Sequence, residues 1–244
     1  FKTMKKLKPI YKNIFNKFDL ICAREISDYE KIKEFTKKVV YSGNIKYDYN
    51  FVKKEKKDFG VKEEEFVVVF GSFHIEELPI VKIVIEALKH QIPDLKVIVI
   101  PRRIEHSQRF SKALGAAIYS KNGLTDVTVV DLYGKLPEFY SICDIAIIGG
   151  SFFPHGGQNP LEATYFGKPV LFGKYMDNFK EVAENIIKEK AGFMTKGADT
   201  LTSKILELYS NESIRIKVSE NATGINKKYS GATNRCIDEI IKHI

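Results

Sequence analysis

The sequence predicts an α/β protein, a parallel sheet covered by helices on both faces. From residue 66 onward, short Val- and Ile-rich runs alternate with segments of helical periodicity. Those runs are nearly continuous in apolar residues, the pattern of strands buried on both sides. The third observation is residues 144–172, DIAIIGGSFFPHGGQNPLEATYFGKPVLF. They read as a strand, two glycine turns, a helix start and a second strand, an order that presents backbone N–H groups and a positive helix end to an anion.

In chain order, residues 1–17 intersperse Lys with apolar residues and read as a short helix or connector. Residues 18–23, 27–36 and 39–41 read as strand, helix and strand, a unit too small to be a domain. Residues 50–65 are Lys- and Glu-rich and read as an interdomain linker. The regular pattern then gives strands at 66–71, 95–100, 127–130, 145–148, 169–172 and, weakly, 192–194. Helices are expected at 77–90, 107–114, 136–142, at the Asn159 to Glu162 start and at 178–188, with C-terminal helices from about residue 198. The expected organisation is residues 1–49, a linker over 50–65, and a sheet domain over 66–244.

Composition narrows the class. A 44% apolar content with spaced Gly and Pro is that of a globular chain. The net charge of +8 suggests acidic partners, or merely a solvated basic surface; nucleic acid is not indicated, because no aromatic-rich basic motif is present. Cys22, Cys143 and Cys236 lack paired spacing and fit reduced thiols. There is no Walker loop or nucleophile elbow, and no His/Asp/Glu set has metal-ligand spacing, so neither cofactor nor metal is expected.

Ligands of open parallel sheets bind beyond the carboxyl ends of the strands. The residues there are Gly71-Ser72-Phe73-His74, Pro101-Arg102-Arg103, Asp131 to Gly134, Gly149-Gly150-Ser151 and Gly173, which predicts one crevice. Each has a plainer role too. Asn159 with Glu162 can close a capping box, with Pro160 and Leu161 opening the helix, or Glu162 can contact a ribose. Gly149, Gly150, Gly156 and Gly157 either permit unusual backbone angles or admit a ligand closely. Arg102 can pair with a surface carboxylate or clamp a phosphate. His74 and His155 can be ordinary loop histidines or line the cleft.

The strings GGSFFPHGGQNPLEATYFGKPVLFG, GSFHIEE, IPRR, DLYGKLPEFYSICDIA and SGNIKYD closely resemble the C-terminal half of 3-deoxy-D-manno-octulosonic acid (Kdo) transferases, from about residue 18 to 184. The resemblance implies a GT-B glycosyltransferase, two Rossmann-like domains across a cleft, of which residues 1–49 would be the tail of the first. It implies metal-independent transfer of Kdo from CMP-Kdo to the lipid A precursor, at the cytoplasmic face of the bacterial inner membrane, with an anionic membrane surface as partner. CMP contacts would fall on Pro101, Arg102, Tyr133, Gly134, Lys135, Asn159, Pro160, Leu161 and Glu162, with Arg102 and the glycine-loop amides neutralising the departing phosphate. Ser72, His74, Gly149, Gly150, Ser151, His155, Gly156 and Gly157 would line the cleft.

The family has Glu at Lys135 and a small residue at Phe73. Its general base lies in the acceptor domain, so this chain is expected to be a donor half, inactive alone. The alternatives are a degenerate nucleotide-binding or scaffold module and a GT-B enzyme using another nucleotide sugar.

Overall fold

The computed structural model describes residues 1–243. The chain divides into two compact units, residues 1–50 with 227–244, and residues 51–226.

The smaller unit opens with α1 (Lys2–Lys6) and α2 (Lys8–Phe15), followed by β1 (Ile21–Ala23), α3 (Ile26–Ile32) and β2 (Val39–Tyr41). β1 and β2 pair in parallel. Phe35, only 2% exposed, anchors the unit, with the rings of Phe1, Tyr11 and Phe15 against it.

The larger unit is a seven-stranded, wholly parallel sheet. Its elements are β3 (Phe66–Phe73), α4 (Leu78–Lys89), β4 (Leu95–Pro101), α5 (Ser107–Leu114), β5 (Ala117–Ile118), α6 (Tyr119–Asn122), β6 (Val127–Val129), α7 (Leu136–Ile142) and β7 (Ile145–Ile148). Then come α8 (Leu161–Tyr165), β8 (Val170–Phe172), α9 (Lys180–Lys188), β9 (Gly192–Met194), α10 (Ala198–Ser210) and α11 (Glu212–Tyr229), the helix in which the division between units falls. The strand order is β5-β6-β4-β3-β7-β8-β9. The chain therefore starts at the centre, builds outward through β4 and β6, and returns to the other side of β3. The carboxyl ends of β3 and β7 flank this reversal, where such sheets open a crevice.

Burial explains the strand pattern. Val67, Val68, Val69 and Phe70 are all fully buried, so both faces of β3 are covered. α4 fits the same logic: Pro79 opens it, and Val81, Val84, Ile85 and Leu88 at helical spacing form its buried stripe. Burial of each such side chain contributes about 1.5–3 kcal/mol.

The structure differs from the sequence reading in three places. The short pair β5 and α6 is unforeseen, because two strand residues carry too little periodicity to register. Residues 51–65 are fastened to the sheet unit: Lys56 Nζ donates to the Glu63 and Glu65 carbonyls and to Asp144, whose Oδ2 also accepts the Val67 N–H. Finally, α12 (Ala232–Ile241) belongs to the smaller unit. Asp48 accepts the N–H groups of Gly231, Ala232 and Thr233 at its start, and Arg235 Nε donates to the Ser42 carbonyl at 2.8 Å. An N-terminal cap supplied from more than 180 residues away leaves no local trace in the sequence.

A strand-end cavity as candidate donor site

β3, β4 and β6 all terminate at one edge, and there a cavity of about 520 Å³ opens, a size suited to a small-molecule ligand. Its wall from β4 is Pro101 and Arg102, that from the loop after β6 is Leu132 to Lys135, and that from the loop after β7 and the start of α8 is Gln158, Asn159 and Glu162.

β3 contributes through a distortion. The β3–β4 register shifts between Gly71 and Phe73, and Ser72 at this step has φ 57, a strained angle for a residue with a Cβ. The step places Ser72 on the cavity wall. Gly71 is required just before it, since a Cβ there would lie 1.9 Å from the Tyr140 hydroxyl, which also lines the cavity. Gly134, at φ +75 with nothing within 4 Å of a built Cβ, turns the β6 loop and leaves Tyr133 77% exposed at the mouth.

The charged groups differ in setting. Arg102 is exposed. Glu162 is largely buried; desolvation pushes its carboxyl above the usual range, against the Asn159 amide at 3.4 Å and the Arg102 charge. Lys135 is held to Glu138 at 2.8 Å, which offsets the local charge it adds. Asp131 turns away, accepting the Ser120 N–H and hydroxyl at the start of α6.

The structure corrects several expected site residues. Leu161 is fully buried and Pro160 is buried, so neither faces the cavity. The helix they open spans only five residues, Leu161–Tyr165, too short for an effective dipole. Asn159 Oδ1 accepts the Leu161 N–H at 3.1 Å, but Glu162 does not complete a capping box and instead lines the cavity.

The glycine turns are also not an open anion nest. The Gly150 and Phe152 N–H groups donate to Glu77, Gly157 N–H to the Gly150 carbonyl, and Gln158 N–H to the Gly149 carbonyl. Cβ atoms built on Gly149, Gly156 and Gly157 would strike the Ser72 carbonyl, Asn178 and Met176 respectively, and one on Gly150 would crowd Gln158. These glycines admit neighbouring protein. Ser151 is fully buried, donating to the Ile148 carbonyl and accepting from Gly173 N–H. Gly149, Gly150, Ser151, His155, Gly156, Gly157 and His74 therefore stand behind the cavity wall.

Glu77 went unread in the sequence. It is fully buried, and its carboxylate accepts the N–H groups of His74 at 2.9 Å, Gly150 at 2.8 Å and Phe152 at 3.1 Å. Burial raises its pKa, while those three bonds pull it down. One buried carboxylate thus fixes the ends of β3 and β7 together. The available signal was the second Glu of GSFHIEE, read only as a helix start.

Spacing along the chain shows no metal-ligand set, but the fold brings three candidate ligand groups together. His74 and His155, 81 positions apart, stack with ring centroids 4.0 Å apart and planes 8° from parallel, and Glu76 Oε2 lies 3.5 Å from His155 Nε2. Each of the three can offer a ligand atom within 4.8 Å of the others. Burial, then the neighbouring His155, holds the His74 imidazole below its usual pKa. The cysteines are free, and burial pushes the Cys143 thiol up to about 12, as expected of a core residue.

A reversing parallel sheet with a polar cavity at its strand ends defines an α/β ligand-binding domain of the kind that holds nucleotides. Residues 51–224 match the family described as glycosyl transferases group 1, and the chain belongs to that family. It is 37% identical over 225 residues to a protein of Aquifex aeolicus named 3-deoxy-D-manno-octulosonic acid transferase, covering 90% of this chain and 62% of that one. A Rickettsia felis protein of the same name is 30% identical over 260 residues, covering 100% of this chain and 55% of its own length. The chain thus spans somewhat more than half of these relatives. Among solved structures, the C-terminal CMP-Kdo binding domain of WaaA from Acinetobacter baumannii shares the fold, with a TM-score of 0.64 at 23% identity over 70% of this chain and 93% of that one. The expected α/β GT-B character and the resemblance to Kdo transferases are both borne out.

Proposed function

We propose that this chain binds CMP-Kdo in the strand-end cavity and serves as the donor-binding part of a metal-independent Kdo transferase acting on the lipid A precursor. The observation that carries the proposal is the cavity itself, lined both by an exposed guanidinium and by a largely buried carboxyl that accepts a hydrogen bond from the Asn159 amide. The matching relatives, named for Kdo transfer, supply the donor class. In this reading Arg102 meets the CMP phosphate, Glu162 and Asn159 fix the nucleoside, and Tyr133 covers it.

The transfer step forms a bond from the acceptor oxygen to the anomeric carbon of Kdo and breaks the bond from that carbon to the phosphate oxygen. CMP leaves carrying the bonding pair, and Arg102 stabilises its charge. The Gly149, Gly150, Phe152 and Gly157 amides are already hydrogen-bonded within the protein and take no part. A carboxylate of the acceptor domain in the whole protein takes the acceptor proton.

The membrane face is part of the same proposal. Support comes from the net charge of +8 and from α2, where Lys8 and Lys12 accompany the exposed Ile10 and Ile14. No helix among the described residues is long and apolar enough to cross a membrane.

Calorimetry with CMP and UDP tests the donor. Saturable CMP binding, with a Kd of roughly 0.1–1 mM for so open a site, is expected. A preference for UDP would transfer the site to another nucleotide sugar, and binding of neither would favour a degenerate module.

A further inference from the structure

His74 stands just after β3, Glu76 in the 3-10 turn that follows it, and His155 in the exposed turn after β7. Their ligand atoms, two imidazole nitrogens and one carboxylate oxygen, lie within 4.8 Å of one another. A four-coordinate zinc ion with bonds of about 2.0–2.1 Å needs donors roughly 3.3 Å apart. The His155 to Glu76 separation of 3.5 Å is close to that spacing, and because two nearly parallel rings cannot both aim a nitrogen at one ion, binding requires the exposed His155 ring to turn out of its stack with His74. Behind the set, the Gln158 amide lies 3.4 Å from His74 Nε2 and supports that ring, as outer partners of metal-bound imidazoles do.

We infer that His74, Glu76 and His155 form a binding site for a borderline divalent transition metal, zinc above all, at the junction of the β3 and β7 loops. Two nitrogens and one oxygen favour zinc, cobalt, nickel or copper over magnesium or calcium, which take all-oxygen shells. The position indicates a structural role. The ion would tie the turn carrying His155 to the end of β3, on the far side of Gln158 from the cavity, and would leave open positions for water. Arg102 and Arg103 add positive charge around His74, so micromolar affinity is expected in place of the much tighter binding of closed structural zinc sites.

The test uses the chain as it stands, stripped with a chelator, then titrated with Zn2+ by calorimetry and with Co2+ by visible absorption. His155→Ala and Glu76→Gln alter exposed residues and leave the fold intact; His90→Ala is the control. Expected are one equivalent bound with a Kd of roughly 1–50 µM, cobalt bands of low coordination number, and at least about tenfold weaker binding in both variants but not in the control. Binding weaker than about 100 µM, or binding that His155→Ala leaves unchanged, overturns the site. No nucleotide enters this experiment, so its outcome is separate from that of the donor assignment.

Discussion

Replacing Glu77 by Gln probes the joint between the two central loops with almost no change of shape. In the native structure Oε2 accepts the N–H groups of His74 and Gly150, and Oε1 that of Phe152. The best-placed glutamine puts its carbonyl oxygen at the first position and keeps two bonds without charge assistance. Its NH2 then faces the Phe152 N–H, donor against donor, leaving a part-buried donor unsatisfied at about 1–3 kcal/mol. The two weakened bonds add about 0.5–1 kcal/mol each. Relief from holding a buried charge offsets some of this, since burial already raises the Glu77 pKa.

The net loss is about 2–3 kcal/mol, or roughly 5–10 °C of melting temperature for a unit of this size. Thermal unfolding of the variant measures it, and amide exchange at Gly150 and Phe152, faster in the variant, locates it. A melting temperature within about 1 °C of the parent, with exchange unchanged, would refute the claim that Glu77 holds these loops together.

Three further outcomes are expected. Arg102→Ala lowers CMP affinity by about 10–100-fold while Arg102→Lys recovers only part of it, read by calorimetry, because a lysine offers a point charge where a guanidinium offers a planar fork. Glu162 has a folded pKa raised above its usual 4.5, so its contribution is full below that value and is lost as pH rises through the raised one. Melting temperature measured from about pH 5 to 8 should therefore fall less steeply in Glu162→Gln than in the parent, and parallel curves would contradict the burial assigned to this carboxyl. Gly71→Ala drives a methyl against the Tyr140 hydroxyl, 1.9 Å from the built Cβ. It should cost about 2–4 kcal/mol, seen as a lower urea midpoint with the slope unchanged.

The sheet was legible because both faces of its strands are buried: runs such as Val67 to Phe70 admit little but a central strand, and their spacing gave the order of elements. The cavity was legible in part for the same reason, since residues after parallel strands share an edge, and Ser72, Arg102, Tyr133 and Glu162 do line it. What misled was the glycine loop. Gly149, Gly150, Gly156 and Gly157 suggest either unusual backbone angles or close approach of a ligand, and it is neighbouring protein that approaches them. The partners are Ser72, Gln158, Asn178 and Met176, three of them about 20 residues or more away along the chain. The His74–His155 stack and the Asp48 cap on α12 leave no local trace, being pairings across 81 and more than 180 residues, while of the Glu77 bonds only that to His74 is local and those to Gly150 and Phe152 are not.

The hydrogen bonding of the glycine turns has a practical corollary for altering nucleotide choice. Cβ atoms at Gly149, Gly156 and Gly157 would strike neighbouring protein, so substitutions at these glycines will register as lost yield or lowered melting temperature, whatever nucleotide is offered. The facing loop, where Tyr133 projects into open space beside the turn that Gly134 makes, is where side chains can vary without unsettling the core. A library for switching donors should randomise 132, 133 and 135 together with position 102 and leave the glycines, Gly134 included, untouched.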